Sequence, residues 1–192
     1  MEKNRLEAFS DGVIAIIITI MVLEMKVPHG SDWLILKPLI PVFISYFLSF
    51  LFIGIYWGNH HHLLQTVKRS NSRIMLANLN LLFWLSLIPF ATGWMGENHF
   101  DPNTVALYAV LLLLNGVAFY ILQKTIERSL TDETNFHNAM KKLSFKAIVS
   151  LIGYSISIPL AYVNPYISGT IFFAIAVLWL IPDKNIEKAI NA

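Results

Sequence analysis

The chain contains 192 residues, of which 56% are hydrophobic and only 14% are charged, and its formal net charge is +2. This composition excludes an ordinary water-soluble domain, in which about a quarter of the residues are charged. The sequence contains no cysteine, which excludes disulfides, thiolate metal sites and a cysteine nucleophile. It therefore predicts a polytopic membrane protein.

Six apolar stretches follow one another along the chain, and each is predicted to form one membrane-spanning helix. The connections are too short for a separate soluble domain, so residues 1–192 are predicted to form a single all-α transmembrane domain. We interpret the longest polar connection, 127–146, as a solvated linker in which Thr131 is placed to cap a short helix. Only Pro89 and Pro159 are predicted to kink a span. The six predicted spans are 6–27, 36–58, 74–95, 105–126, 145–163 and 166–181.

The basic residues predict the orientation in the membrane. If the helices alternate in direction, twelve lysines and arginines fall on the side of the amino terminus, and two, Lys26 and Lys37, fall on the other. The positive-inside rule then places both termini in the cytoplasm. The first helix lacks a small-residue cleavage site, so it is predicted to remain in the mature chain in the cytoplasmic membrane. The basic residues orient the protein and do not indicate a nucleic-acid partner.

The first predicted helix contains a twelve-residue uncharged run, 12–23, which is bracketed by Asp11 and Glu24. Twelve residues give about 18 Å of helix, which is shorter than the ~30 Å hydrocarbon layer, so spanning brings both carboxylates toward membrane depth. Charged groups at such depth usually face a bundle interior or a water-filled path. This helix is therefore a candidate lining for an ion pathway.

A stripe of residues runs along this helix. Ile16, Ile20 and Leu23 are spaced i, i+4 and i+7, with Thr19 at the margin and Gly12 below them on the same side. If several copies met around an axis, the stripe would form stacked apolar rings, which gate ion paths by dewetting. From spacing alone, ordinary helix packing is the simpler interpretation, because every face of this run is apolar.

Short motifs in the first three predicted helices resemble those of a known family. The first helix carries Arg5-x-x-x-Phe9-Ser10-Asp11, followed by Ala15-Ile-Ile-Ile-Thr19 and Leu23-Glu24. The second helix ends with Trp57-Gly-Asn-His60-His61, and the third contains Leu79-Asn80-Leu81 and Pro89. With the six-span layout, these motifs resemble the potassium channels of the transmembrane protein 175 family.

This resemblance implies a passive potassium channel and not an enzyme, with K⁺ as the permeant ion and no cofactor. It implies a homotetramer in which the four first helices line the pore, without the carbonyl filter of ordinary potassium channels. Four copies of Glu24 would form an acidic ring at the outer mouth, although an ordinary interfacial carboxylate explains this residue equally well. Carried over to this sequence, the constriction falls on Ile16, followed by Thr19, Ile20 and Leu23, with Gly12 and Glu24 at the pore mouths.

The resemblance also implies a polar network that supports the first helix from the two helices that follow it. Buried charges that are paired in this way avoid a large desolvation penalty. The supporting set comprises Arg5, Phe9, Ser10 and Asp11 on the first helix, Trp57 with His60 or His61 on the second, and Asn80 on the third.

Three other functions differ from a channel in the side chains that they require. The run His60–His62 is not predicted to bind a metal, because adjacent helical residues point 100° apart and no carboxylate completes a site. An embedded enzyme would need a nucleophile or metal constellation that the sequence does not offer. A proton-coupled transporter that uses Asp11 is the remaining alternative to the channel.

Overall fold

A computed structural model describes residues 3–67, 70–129 and 134–180. Five stretches of these residues are long and apolar enough to cross a membrane, with α3 and α4 counted together, and α7 is a shorter apolar helix of 16 residues. The all-α membrane class predicted from the sequence is confirmed. The helices are α1 (Lys3–Leu23), a 3₁₀ helix (Trp33–Leu39), α2 (Ile40–Gln65), α3 (Ser72–Leu85), α4 (Ile88–Glu97), α5 (Pro102–Glu127), α6 (Thr134–Val163) and α7 (Pro165–Leu180).

Several helix ends differ from the predicted spans. The first helix ends at Leu23 and not at residue 27, because charged residues and then a proline follow it. The second begins later and continues to Gln65; its 26 residues give about 39 Å, which exceeds the hydrocarbon thickness. Much of the predicted linker belongs to α6, which begins at Thr134. Thr131 and residue 181 lie outside the described residues.

Local signals fix where three of the helices begin. The side chains of Asn71 and Asp101 each accept a hydrogen bond from a backbone N–H in the first turn of the helix that follows, at 2.9 and 3.0 Å. Asn164 does the same at 2.9 Å in the turn between α6 and α7. Pro102 and Pro165 stand at the first helical position, where the missing N–H costs nothing. These caps satisfy donors that a helix start leaves free.

The predicted third span is broken into two helices at Ser86 and Leu87. Pro89 has no N–H to donate to the carbonyl of Leu85, and its ring crowds that carbonyl, so a continuous helix is interrupted there. The side chain of Asn115 on α5 donates to the carbonyl of Trp84 beside the break, at 3.3 Å. The kink expected at Pro89 is therefore a full discontinuity, with α3 on one side and α4 on the other.

The centre of the bundle is α5, which packs against α3, α4, α6 and α7. Its buried side chains include Tyr108, Leu112, Phe119 and Leu122. By contrast, α1 packs on α2, α3 and α4 at one side of the bundle. One face of α1 is therefore left outside the protomer's own core.

Hydrogen bonds and close approach hold α4 to its neighbours. The hydroxyl of Thr92 lies 2.7 Å from that of Ser49 on α2, which in turn lies 2.8 Å from the hydroxyl of Tyr108 on α5. At Gly96 the backbones come so close that an added Cβ would lie 2.7 Å from Cα of Val42. Such packing and interhelical hydrogen bonds stabilise bundles in lipid, where apolar burial between helices contributes little.

Candidate functional site on the first helix

The helix α1 has two faces of opposite character. Its bundle side carries residues spaced three or four apart that are all buried: Leu6, Ser10, Ile14, Ile17 and Met21. This spacing follows one side of an α-helix. The rest of the surface of α1 is left available for contact with lipid, with water or with another copy.

The predicted stripe lies on this free side. Ile16, Ile20 and Leu23 are 58%, 41% and 78% exposed in the protomer, and Gly12 and Thr19 are exposed as well. The hydroxyl of Thr19 donates to the carbonyl of Ile16 at 2.9 Å. Because the donor is used within the helix, the lone pairs of the hydroxyl oxygen remain available to a cation or to water.

A chain of hydrogen bonds links the buried side of α1 to α2 and α3. The amide of Asn78 donates to the hydroxyl of Ser10 at 2.9 Å, and its carbonyl oxygen lies 2.6 Å from Nε2 of His60. Since an amide oxygen only accepts, His60 carries its proton on Nε2 and donates it. Ser10 in turn donates to the carbonyl of Leu6 at 2.8 Å. All three side chains are almost fully buried, so each depends on the others for its partners.

This network uses Asn78, whereas the sequence prediction named Asn80. Two residues along a helix correspond to a rotation of 200°, so the two asparagines point to different sides of α3. Asn80 is half-buried and makes no hydrogen bond within the described part of the chain. The predicted contact of α1 with an asparagine of the third helix is present, but the residue is corrected to Asn78.

A second link joins the middle of α1 to α2. The indole Nε1 of Trp57 donates to Oδ1 of Asp11 at 3.0 Å. The ring of Trp57 stacks on His61 with 6.1 Å between ring centres, and His61 lies 2.9 Å from the side chain of Gln65. Of the two histidines that the sequence left open, His60 contacts the serine and asparagine chain and His61 supports the tryptophan.

Two residues of the predicted network are not part of it within the protomer. Arg5 is exposed and forms neither an ion pair nor a hydrogen bond with the described residues, and Phe9 is 51% exposed. The physical reason is helical position, since Arg5 precedes Gly12 and Ile16 by seven and eleven residues and so shares their free side. Arg5 therefore lies at the amino-terminal end of the stripe.

The carboxyl-terminal end of the stripe is in contact with α4. The carboxylate of Glu24 lies beside Gly93, 3.4 Å from where a Cβ would be placed. Two residues further on, Lys26 forms an ion pair with Glu97 at 2.7 Å. A groove of about 420 Å³ runs alongside Ile16, Ile20 and Glu24 and is closed on its far side by residues at the break between α3 and α4. Among the described side chains, no three histidines, aspartates or glutamates converge as metal ligands would.

The fold and this arrangement define an all-helical integral membrane protein. Residues 5–89 match the family described as the endosomal/lysosomal potassium channel TMEM175. A protein of Chryseobacterium sp. (strain P1-3), named a potassium channel, is 50% identical over 191 residues, which is 100% of this chain and 99% of the relative. Another from Streptomyces collinus, also named a potassium channel, is 32% identical over 173 residues, 85% of this chain and 84% of the relative.

A solved structure gives the same result. The crystal structure of a lysosomal potassium-selective channel TMEM175 homolog from Chamaesiphon minutus superposes with a TM-score of 0.79 at 25% identity, over 93% of this chain and 96% of the other. The chain therefore belongs to the TMEM175 family of ion channels, which are not enzymes. The resemblance inferred from the motifs is confirmed.

Proposed function

We propose that this protein is a potassium-selective channel that conducts K⁺ passively through a pore lined by four copies of α1. The observation that carries the proposal is the position of the stripe. Ile16, Ile20 and Leu23 lie on the free side of α1, while the opposite side is packed into the protomer. A homotetramer around α1 uses this free side as its pore. The potassium channel names of the bacterial relatives support the same ion.

In this pore Ile16 forms the constriction. A ring of four isoleucine side chains offers no ligand for a cation, so an ion that passes must give up part of its hydration shell. Sodium is smaller and more strongly hydrated, and it therefore pays more than potassium. The hydroxyl oxygens of Thr19, which lie on the free side of α1, offset part of that cost. Ile20 and Leu23 continue the narrow apolar path.

The two mouths differ in charge. Gly12 widens the path on the cytoplasmic side of the constriction, because it has no side chain. Glu24 forms an acidic ring on the outer side, which raises the local concentration of cations.

Both termini lie in the cytoplasm of the cell, as the distribution of lysine and arginine predicts.

The polar networks hold α1 in register with the rest of the protomer. A rotation of α1 by one residue, 100°, would break the contacts of Ser10 and Asp11 and would move Ile16 away from the axis. The buried hydrogen bond to Asn78 and the exposed one to Trp57 thus fix the face that α1 presents to the pore.

The alternative, a proton-coupled transporter that uses Asp11, rests on the half-buried carboxylate of this residue within a membrane-spanning helix. The variant Asp11→Asn separates the two functions. Asparagine keeps an oxygen that accepts the hydrogen bond from Trp57 but cannot titrate. A channel keeps its potassium current in this variant, whereas a transporter loses its dependence on the proton gradient.

The test of the channel is the reversal potential of the purified protein in a planar bilayer with potassium on one side and sodium on the other. We expect the reversal potential to have the sign of a pore that favours potassium over sodium, and its magnitude to fall toward zero in Ile16→Asn, because a polar ring lowers the cost of passing sodium. Ile152→Asn on α6 is the matched control, since this isoleucine is 55% exposed on a different helix. The proposal is refuted if assembled protein carries no current, and the constriction is misplaced if both variants shift the reversal equally.

A further inference from the structure

The loop end of α1 is attached to α4 by two adjacent contacts, which we call the outer clasp: Glu24, Lys26, Gly93 and Glu97. Glu24 packs beside Gly93, and the ammonium of Lys26 lies 2.7 Å from the carboxylate of Glu97. Gly93 and Glu97 are four residues apart, so both lie on the same side of α4. The outer clasp therefore joins the carboxyl-terminal end of α1 to one face of a single helix.

That helix is held independently of α3. The turn at Ser86 and Leu87 interrupts the helix between the two. A neighbouring face of α4 is fixed to α2 and α5 through Thr92 and through the close approach at Gly96. The short helix α4 is thus packed tightly against the bundle on one side, and it contacts the end of α1 on the other.

We propose that Lys26 and Glu97 are positioning residues that set the radial position of the outer end of α1, and thereby the equilibrium between conducting and non-conducting pores. This proposal rests on the proposed channel function. It assigns a role in gating to a pair that touches no permeating ion. Selectivity, which is assigned to the ring of Ile16, is expected to be independent of it.

The competing explanation is that these charges only alter the local potential at the outer mouth. The two explanations differ in sign. Lys26→Gln makes the mouth more negative and Glu97→Gln makes it more positive, so a purely electrostatic effect on cation entry is opposite in the two variants. Loss of the ion pair is the same event in both, so an effect through the outer clasp has the same direction in both.

The experiment records single channels in symmetrical potassium chloride and compares open probability with unitary conductance. Because exposed ion pairs are weak, we expect each variant to change open probability by only about two- to fivefold. The change should have the same direction in both variants. The reversal potential with potassium on one side and sodium on the other should stay unchanged. The exchanged pair Lys26→Glu with Glu97→Lys should restore the original value. Lys37→Gln is the matched control, since Lys37 is the other outer lysine and forms no ion pair with the described residues.

A second readout does not depend on current. The pKa of Lys26 is raised above its usual 10.5, because its ammonium donates to the carboxylate of Glu97 and is attracted by its charge. At a given alkaline pH, less of the amine is neutral, so acylation of Lys26 should be slower than in the Glu97→Gln variant. The acylation of Lys37 in the same samples, measured by mass spectrometry, normalises the two rates.

The outcomes separate the two proposals. A wild-type chain without current refutes the proposed function, and the outer clasp as a gating device with it. If the wild type conducts with a potassium-directed reversal, three results overturn the outer clasp alone: opposite changes in Lys26→Gln and Glu97→Gln, failure of the exchanged pair to restore open probability, or equal acylation rates of Lys26 with and without Glu97.

Discussion

Replacement of Asn78 by leucine tests the buried network that supports α1. Leucine has the same branching as asparagine, with two methyl groups in place of the amide oxygen and nitrogen, so the change removes hydrogen bonds without opening a cavity. It deprives Ser10 of a donor at 2.9 Å and His60 of an acceptor at 2.6 Å, and both partners are almost fully buried. Water cannot replace the amide there, so we expect a loss of stability.

The magnitude follows from two broken bonds. A buried polar group that loses its partner costs about 1–3 kcal/mol, which gives about 2–6 kcal/mol for the pair. Interhelical hydrogen bonds in membrane proteins average about 0.6 kcal/mol and reach about 1.7 kcal/mol, which favours the lower end of that range. We expect about 2–3 kcal/mol, which corresponds to a fall in melting temperature of about 4–12 °C for a chain of this size.

The assay is thermal unfolding in detergent, followed by loss of the assembled peak in size-exclusion chromatography. Asn80→Leu is the matched control, because it makes the same chemical change two residues away on the same helix at a half-buried position without hydrogen bonds. Its melting temperature should stay within about 2 °C of the wild type, since substitutions away from such features change stability by about 0.5 kcal/mol or less. Equal losses in both variants would show that Asn78 contributes volume and not hydrogen bonds.

Three further predictions concern the packing of α4 and α5, and all are measured by the same melting experiment. Gly96→Ala should lower stability by at least about 2 kcal/mol, because its Cβ meets backbone that cannot move aside, whereas Gly169→Ala has open space and should be neutral or slightly stabilising. Tyr108→Phe should cost about 1 kcal/mol by removing a buried hydrogen bond, and the exposed Tyr162→Phe should cost nothing measurable. Asp101→Ala removes the cap of α5 and should cost about 1 kcal/mol. A stable Gly96→Ala variant would contradict the close approach of α2 and α4.

Hydropathy predicted the approximate positions of the apolar helices, but it did not single out the stripe, because every face of the uncharged run 12–23 is apolar. The resemblance to the family selected Ile16, Ile20 and Leu23 among these positions, and in the structure they lie on the free side of α1. The discontinuity at Ser86 and Leu87 was signalled only by Pro89, since a proline indicates where a helix is weakened but not whether it bends or breaks.

The network was harder to predict, because it depends on which face of α3 turns toward α1. Ile74, Leu81 and Leu85 lie on the buried side of α3, and Asn78 falls at helical spacing between them. The sequence pattern alone does not select Asn78 over Asn80, because Leu76, Leu79 and Phe83 form a second apolar stripe on the exposed side of the same helix. No local pattern relates Lys26 to Glu97, which are 71 residues apart and meet only through the packing of α4 on α1.

Because α3 and α4 are separate helices, the two ends of α1 are held by contacts with different helices. In its amino-terminal half, α1 is bonded through Ser10 to Asn78 on α3; just after its carboxyl-terminal end, the chain is bonded through Lys26 to Glu97 on α4. A helix without a continuous hydrogen-bond ladder does not transmit twist from one half to the other. Each end of α1 is therefore anchored to a different helix, and a change that loosens one anchor leaves the contact at the other end in place.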